Sequence, residues 1–279
     1  MTYIVHGATG AQGAPVAAAL AKAGKSVTAA VRNAKTYTEG PAVSVDFTDT
    51  ATLVDAYTGA EGVFIHLPMG SLEQQYLHAR AVVTAVRKAR PARVVFSTSG
   101  FDHGRGENSP HGMLMRGILD AGVSSAVIAP RLYLENLLLP PVVASVQEHG
   151  VLPYPIRTDY RVSWSSHLDI ADIAVQLFDK VDITGSIAVG ALPALIGDDI
   201  AAGFAAHLNK SVVFQSQTPD EFAESLIPIF GVDPAMPVVE SYRGRYTQHD
   251  DIIDKTRSAQ TLLGLRPRSV ATWLHDIKA

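Results

Sequence analysis

Cysteine is absent from all 279 residues, which excludes disulfides, thiolate metal sites and a cysteine nucleophile, and leaves any redox chemistry to a borrowed cofactor. The same absence leans towards a cytoplasmic protein. Charge is also sparse: charged residues make up 18% of the chain and the formal net charge is −4. Neither disorder nor an electrostatic nucleic-acid surface is expected from that balance, so no nucleic-acid partner is assigned. Long apolar runs are missing as well. The longest, "LLLPPVVA" from Leu137, falls far short of the roughly 20 residues that cross a bilayer and contains two prolines, so no membrane partner is expected. No basic segment followed by an apolar stretch precedes the first strand, and the mature chain is expected to begin at Met1 without a signal peptide. Repeats, low-complexity tracts and Gly/Ser-rich linkers are absent too.

What the sequence has is alternation. The runs "YIVHG", "SVTAAVR", "AVSVDF", "GVFIHLP", "RVVFSTSG" and "SSAVIAP" read as short strands. Between them lie the helical patterns "GAPVAAALAKAG", "TATLVDAYTG", "LEQQYLHARAVVTAVRKA" and "HGMLMRGILDAG", several of which stop at a glycine suited to a helix C-terminus. Strands apolar on both faces and separated by crossover helices predict an α/β fold, a doubly wound parallel sheet of the Rossmann kind.

After Pro130 the rhythm changes. "RLYLENLLLPPVVASVQEHG" reads as a helix interrupted by paired prolines, and "VLPYPIRTDYRVSWSS" as loop and short strands. A helix returns in "SSHLDIADIAVQLFD", where Ser166 and Asp169 have capping-box spacing and Ile170, Ile173, Ala174 and Leu177 form one apolar face. The rest reads as a smaller C-terminal α/β lobe. Residues 1–130 are therefore expected to form a nucleotide-binding Rossmann domain. Residues 131–279 are expected to form a smaller substrate-binding lobe, with a strand and helix returning to the Rossmann core and a cleft between the lobes.

"GATGAQG" places Gly7, Gly10 and Gly13 between the first strand and the first helix. Glycine permits positive φ and close approach of backbone to a phosphate, and the helix N-terminus adds N–H donors and a favourable dipole. Thr9 and Gln12 could add side-chain donors. The alternatives are a tight turn without ligand and a dinucleotide site, and the context favours the latter. The second strand ends in Arg32, followed closely by Lys35, where an acidic residue would bind a ribose hydroxyl. This charge favours the 2′-phosphate of NADP(H), against the alternative of an Arg merely solvating a strand end. Asp46, after the third strand, either reaches the adenine amine or serves the following turn, and Phe47 is a candidate to flank the adenine.

Taken together, "GATGAQG", "AVRN", "VDFTD", "VVFSTSG" and "PRLYLENLL" resemble the NmrA-like branch of atypical short-chain dehydrogenases/reductases. The resemblance runs nearly end to end, is strongest through about Asn136, and continues in "SWSSHLDIADIAVQLF". That branch includes bacterial NADPH-dependent quinone reductases and regulators that bind NADP without obvious turnover. The resemblance implies that Gly7, Ala8, Thr9, Gly10, Ala11, Gln12 and Gly13 hold the pyrophosphate, Arg32 the 2′-phosphate, and Asp46 with Phe47 the adenine. It places His66, Leu67 and Pro68 at the ribose and Ser97, Thr98 and Ser99 near the nicotinamide. Tyr133, Leu134, Glu135 and Asn136 would close over the nicotinamide end.

One departure bears on mechanism. Many dehydrogenases of the wider superfamily use a Tyr and a Lys four residues later as the proton-donating pair, and no Tyr here has Lys at that distance. Tyr76 with Arg80 comes nearest, but on the helix after strand four, where it reads as surface decoration. In the neighbourhood "SPHGMLMRGILDAG" the position falls to His111 or Arg116. Arg116 holds its proton at any working pH, whereas His111 either titrates near neutrality or is an exposed helix-start residue. His111, Arg116 and Tyr133 are the catalytic candidates. The ten histidines lack the i, i+4 pairing with a nearby acid of a helix-borne zinc site, so no metal is assigned, and no G-x-S-x-G turn supports a serine hydrolase. "GFDHGRGENSP" is expected to be a mobile lid, and Phe101, Met113, Tyr133 and Trp164 are candidates for an apolar pocket. The expected function is hydride transfer from NADPH to a small apolar acceptor such as a quinone, an enal or a carbonyl. The alternative is an NADP(H)-sensing regulator without turnover. The expected partner is a small apolar substrate, with a homodimer as an option.

Overall fold

The computed structural model describes residues 2–100 and 108–279; Phe101, and with it most of the expected lid, lies outside the described residues. By their internal contacts the residues form two compact units. The first comprises Met1–Pro130, His167–Val189 and Lys255–Leu265, and the second Arg131–Ser166, Gly190–Asp254 and Arg266–Ala279.

The first unit alternates β1 (Tyr3–His6), α1 (Gly13–Lys22), β2 (Val27–Val31), β3 (Ala42–Ser44), α2 (Thr50–Tyr57), β4 (Gly62–His66), α3 (Leu72–Ala89), β5 (Arg93–Ser97), α4 (Pro110–Leu119) and β6 (Ser124–Pro130). The strands form one parallel seven-stranded sheet with β8 (Gly185–Val189), in the order β3-β2-β1-β4-β5-β6-β8. Strands such as Val94–Phe96 are wholly buried because helices cover both faces. On one side α1 packs on α6 (His167–Asp179); on the other α2, α3 and α4 pack side by side. Ile170, Ile173, Ala174 and Leu177 of α6 are all buried, as the periodicity requires. The register pairs His6 with Ala30 and His66 with Ser97, so the carboxyl ends of β1, β4 and β5 come out along one edge. Strand order reverses between β1 and β4, and the crevice outside such a reversal is where open α/β sheets take ligands.

The second unit has β7 (Val151–Tyr154) and β9 (Val213–Ser216) as a parallel pair. Around the pair are α5 (Pro140–His149), α7 (Gly197–Leu208), α8 (Pro219–Phe230), α9 (Val232–Tyr246) and α11 (Val270–Asp276); the short α10 (Ala259–Leu263) belongs to the first unit. Tyr154, Trp164, Phe222 and Tyr242 form an aromatic cluster here, with ring centroids 5.5–5.9 Å apart. One expectation is corrected. Pro140 and Pro141 begin α5 instead of interrupting a helix, because the first helical residues have no partner for an N–H and proline's fixed φ suits them. Leu134–Leu138 ahead of them is a separate 3₁₀ turn. The helix α9, which carries Pro237 inside it, had no periodic apolar face to reveal it and goes unread in the sequence. No helix among the described residues is long and apolar enough to cross a membrane.

Candidate functional site

The site is built on the turn between β1 and α1. Gly7 has φ +64°, and a Cβ there would lie 2.3 Å from Nε2 of His66, so the imidazole at the end of β4 occupies the space a side chain would need. At Gly13 a Cβ would lie 2.2 Å from the Gly7 carbonyl oxygen and 2.4 Å from that of His6. The helix therefore starts hard against the strand. Gly10 is less confined: its N–H donates to the Gly7 carbonyl at 2.7 Å, and a Cβ would lie 3.3 Å from that oxygen. Thr9, Gly10 and Ala11 are exposed, whereas Ala8, Gln12 and Gly13 are buried. Gln12 precedes the helix without a side-chain cap, and its first turn contains no acid. The partial positive charge of this N-terminus is left to whatever approaches the turn.

Beyond β2, Arg32 is exposed and makes no hydrogen bond or ion pair with another described residue. Asn33 Oδ1 accepts the Lys35 N–H at 3.1 Å and so shapes the next turn, on which Lys35 is exposed. Asp46 serves its own turn: Oδ1 accepts from both the N–H and the hydroxyl of Thr48, each at 2.7 Å. These bonds hold its carboxyl below the usual range. The Phe47 ring has two imidazole neighbours, both tilted against it, with centroids 4.8 Å away at His6 and 5.5 Å away at His78.

His6 is fully buried and its pKa is driven down to about 3, first by that burial and then by His66. It is therefore neutral, and its Nε2 shares a hydrogen bond of 2.7 Å with the Tyr57 hydroxyl. Burial also lowers the pKa of His66 and takes that of His167, at the start of α6, down to about 4, with His66 contributing. Leu67 is buried and Pro68 half-buried after β4. At the end of β5, Ser97 and Thr98 are fully buried. The Ser99 N–H donates to Ser97 Oγ at 3.3 Å, and Ser99 takes φ +55°, with Gly100 following at +82°. A non-glycine residue in that region marks backbone held against its preference. Four buried polar atoms near this edge have no hydrogen-bond partner: Nδ1 of His6, Nε2 of His66, Nδ1 of His78 and Oγ1 of Thr98. Native interiors pair such atoms, so a concentration of exceptions points to an external partner.

Of the catalytic candidates, His111 and Arg116 both lie on α4 and Tyr133 lies in the second unit. His111 is buried, not an exposed helix-start residue, and its ring stacks at 6.4 Å on Phe96. Arg116 lines a groove between α3 and α4 with Arg80, Arg87, Val83 and Met113. Tyr76 is more than decoration: its hydroxyl donates to the Asn108 carbonyl. The segment Tyr133–Asn136 belongs to the second unit. There the Leu134 N–H donates to the Ser165 carbonyl at 2.9 Å and Glu135 Oε1 accepts from Trp273 Nε1 at 3.1 Å. The hydroxyls of Tyr154 and Tyr242 bond each other, and burial raises the pKa of both while the Asn136 side chain lowers it. Tyr133 is 8% exposed and Trp164 only 1%, packed on Tyr154 in the core of the second unit. No group of three or more His, Cys, Asp or Glu among the described residues could hold a metal ion.

His6, Tyr57, His78 and His167 were not read from the sequence as members of this edge. The one sequence signal was a histidine closing an otherwise apolar strand, at His6 and again at His66; Tyr57, His78 and His167 arrive from helices by packing alone.

Solved structures resemble the whole chain. A triphenylmethane reductase from Citrobacter sp. is 17% identical with a TM-score of 0.81, each chain covered over 100% of its length. An NADPH-dependent quinone oxidoreductase from Escherichia coli is 20% identical, TM-score 0.75, again covering 100% of both chains. A nucleoside-diphosphate-sugar epimerase from Staphylococcus aureus is 17% identical with a TM-score of 0.78, over 98% of this chain and 99% of the other. At these identities the likeness establishes the fold. Among curated protein sequences none matches the chain significantly. The profile of the NmrA-like family matches residues 1–274, and with the parallel sheet and glycine turn already in place the chain belongs to the NmrA-like family.

Proposed function

We propose that the protein is an NADP(H)-dependent oxidoreductase that passes hydride to a small apolar acceptor such as a quinone, an enal or a carbonyl. The observation that carries this reading is the cradle from Gly7 to Gly13, tight enough to reject a Cβ at both ends, with the unengaged cation Arg32 at the end of the adjacent strand. The residues present fit a dinucleotide phosphate. The turn offers backbone N–H groups at an uncapped helix N-terminus, Arg32 a planar fork for a 2′-phosphate, and the Thr98 hydroxyl a buried polar atom still to be paired. Phe47 gives an apolar face near Asp46, and His66 with Pro68 follows the turn at the next strand.

Hydride is the chemistry such a cofactor supplies; the chain's part is to bind, orient and exclude water. Ser97, Thr98 and Ser99, on a strained strand end, orient the reacting ring. One solved relative in this fold is described as complexed with NADP(H) and another, an NADPH-dependent quinone oxidoreductase, as complexed with NADPH, which supports the same assignment.

A second reading, cofactor sensing without turnover, draws on the placement of the proton-donor candidates. His111 is sequestered against Phe96 and Arg116 faces the α3–α4 groove. The two readings separate on one experiment, following loss of NADPH absorbance across a panel of quinones, enals and ketones. Steady oxidation above background with at least one class is the expected result. NADPH binding with no turnover by any acceptor overturns the enzyme reading in favour of sensing.

A further inference from the structure

The ring cluster at the sheet edge contains a side chain to which no role has been assigned. Phe47 has both His6 and His78 as tilted ring neighbours, but the two imidazoles differ. His6 is sealed in the interior and bonded to Tyr57. His78, on α3, is half-buried; its Nδ1 is buried and has no hydrogen-bond partner. The charged group acting on it is Asp46, which is exposed and has Oδ1 taken up by Thr48. Burial lowers the pKa of His78 more than Asp46 raises it, so near neutrality the imidazole is uncharged and presents one donor and one acceptor.

An aromatic face, a neutral donor–acceptor ring beside it and a carboxylate next to both are the groups needed to read the edge of a purine bearing an exocyclic amine. The face takes the base plane, and the polar atoms take a ring nitrogen and the amine. We infer that His78 is a specificity residue for the base of the cofactor, hydrogen-bonding the adenine edge while Phe47 packs against its plane. This rests on the NADP(H) reading above. A site whose polar atom is left unpaired by the wrong ligand discriminates against that ligand more sharply than an apolar wall can.

The test compares NADPH with its hypoxanthine analogue, in which a carbonyl replaces the amine and the adjacent ring nitrogen becomes a donor. Dissociation constants are measured by titration calorimetry for the wild type, His78→Ala and His78→Gln. The wild type is expected to prefer NADPH by about tenfold. His78→Ala should bring that preference to within roughly threefold, whereas His78→Gln, whose amide keeps a donor and an acceptor, should retain most of it. Equal weakening of both ligands in His78→Ala, unchanged binding in that variant, or no wild-type preference overturns the inference while leaving the cofactor assignment standing. Failure of the wild type to bind NADPH at all overturns the cofactor assignment itself, and so remains distinguishable. His78→Gln also carries the test if the alanine variant does not fold.

Discussion

His6 is the residue whose environment is most demanding, because it ends β1 inside the core immediately before the glycine turn. Its folded pKa of about 3 lies below the model-peptide value of 6.5, so the unfolded chain binds a proton that the native state refuses. Stability from this residue is therefore fully present above about pH 6.5 and is lost as pH falls towards 3, at up to ~1.4 kcal/mol per pH unit. His167, lowered to about 4 for the same reason, acts in the same direction. Urea denaturation between pH 7 and pH 5 should show a falling midpoint with an unchanged slope, and His6→Gln should flatten that fall; a midpoint independent of pH over this range would sink the account. Gly13 illustrates a different residue-scale constraint. With two backbone carbonyl oxygens inside 2.5 Å of its would-be Cβ, no side chain could yield to make room.

Among the elements, the connection from α6 to β8 depends on one side chain. Arg93, first residue of β5, is 1% exposed and turns its guanidinium onto the C-terminal end of α6. It donates to the carbonyls of Leu177, Lys180, Val181 and Ile183 and to Ser124 Oγ at 2.6 Å. The Leu177 carbonyl belongs to the last turn of the helix and the other three follow it, so the cation also meets the negative end of the helix dipole. Methionine matches the volume but donates to none of these acceptors, so Arg93→Met is expected to cost about 3–5 kcal/mol, read as a drop in the urea midpoint. Arg93→Lys should recover only part of it, since an ammonium cannot reach so many acceptors; full stability in the methionine variant would contradict this role. The α3 boundaries, by contrast, are local matters. Ser71 and Gln74 make a reciprocal capping box, and that helix was legible from its first residue to its last.

For the whole molecule, the cofactor reading predicts linkage between ligand and fold. A ligand at one hundred times its Kd stabilises the native state by about 2.7 kcal/mol, so NADPH should raise the melting temperature and NADH at equal concentration should raise it much less. Arg32→Ala should remove most of that difference, since a charge-assisted contact of this kind is worth roughly 1.5–3 kcal/mol; equal shifts by the two cofactors in the wild type would refute the Arg32 assignment. The parallel sheet, its strand candidates and the glycine turn were readable in advance because each depends on local rules: apolar runs buried on both faces, crossover helices between them, glycine where φ is positive. Other features were not readable. That Pro140 opens a helix, that Trp164 is core, and that Arg116 faces α3 all depend on which surface packs where, and no local pattern encodes it. The same holds at the sheet edge. Phe47 and His78 are far apart in the chain, and His6 further still from either, so only the β1–β4 strand reversal and the packing of α3 against the sheet bring the three rings together. By itself the sequence determined a dinucleotide-type turn on a doubly wound sheet, because strand, turn and helix are consecutive. The tertiary structure alone decided which buried polar atoms surround that turn and stay unpaired, because burial and pairing are set by distant segments.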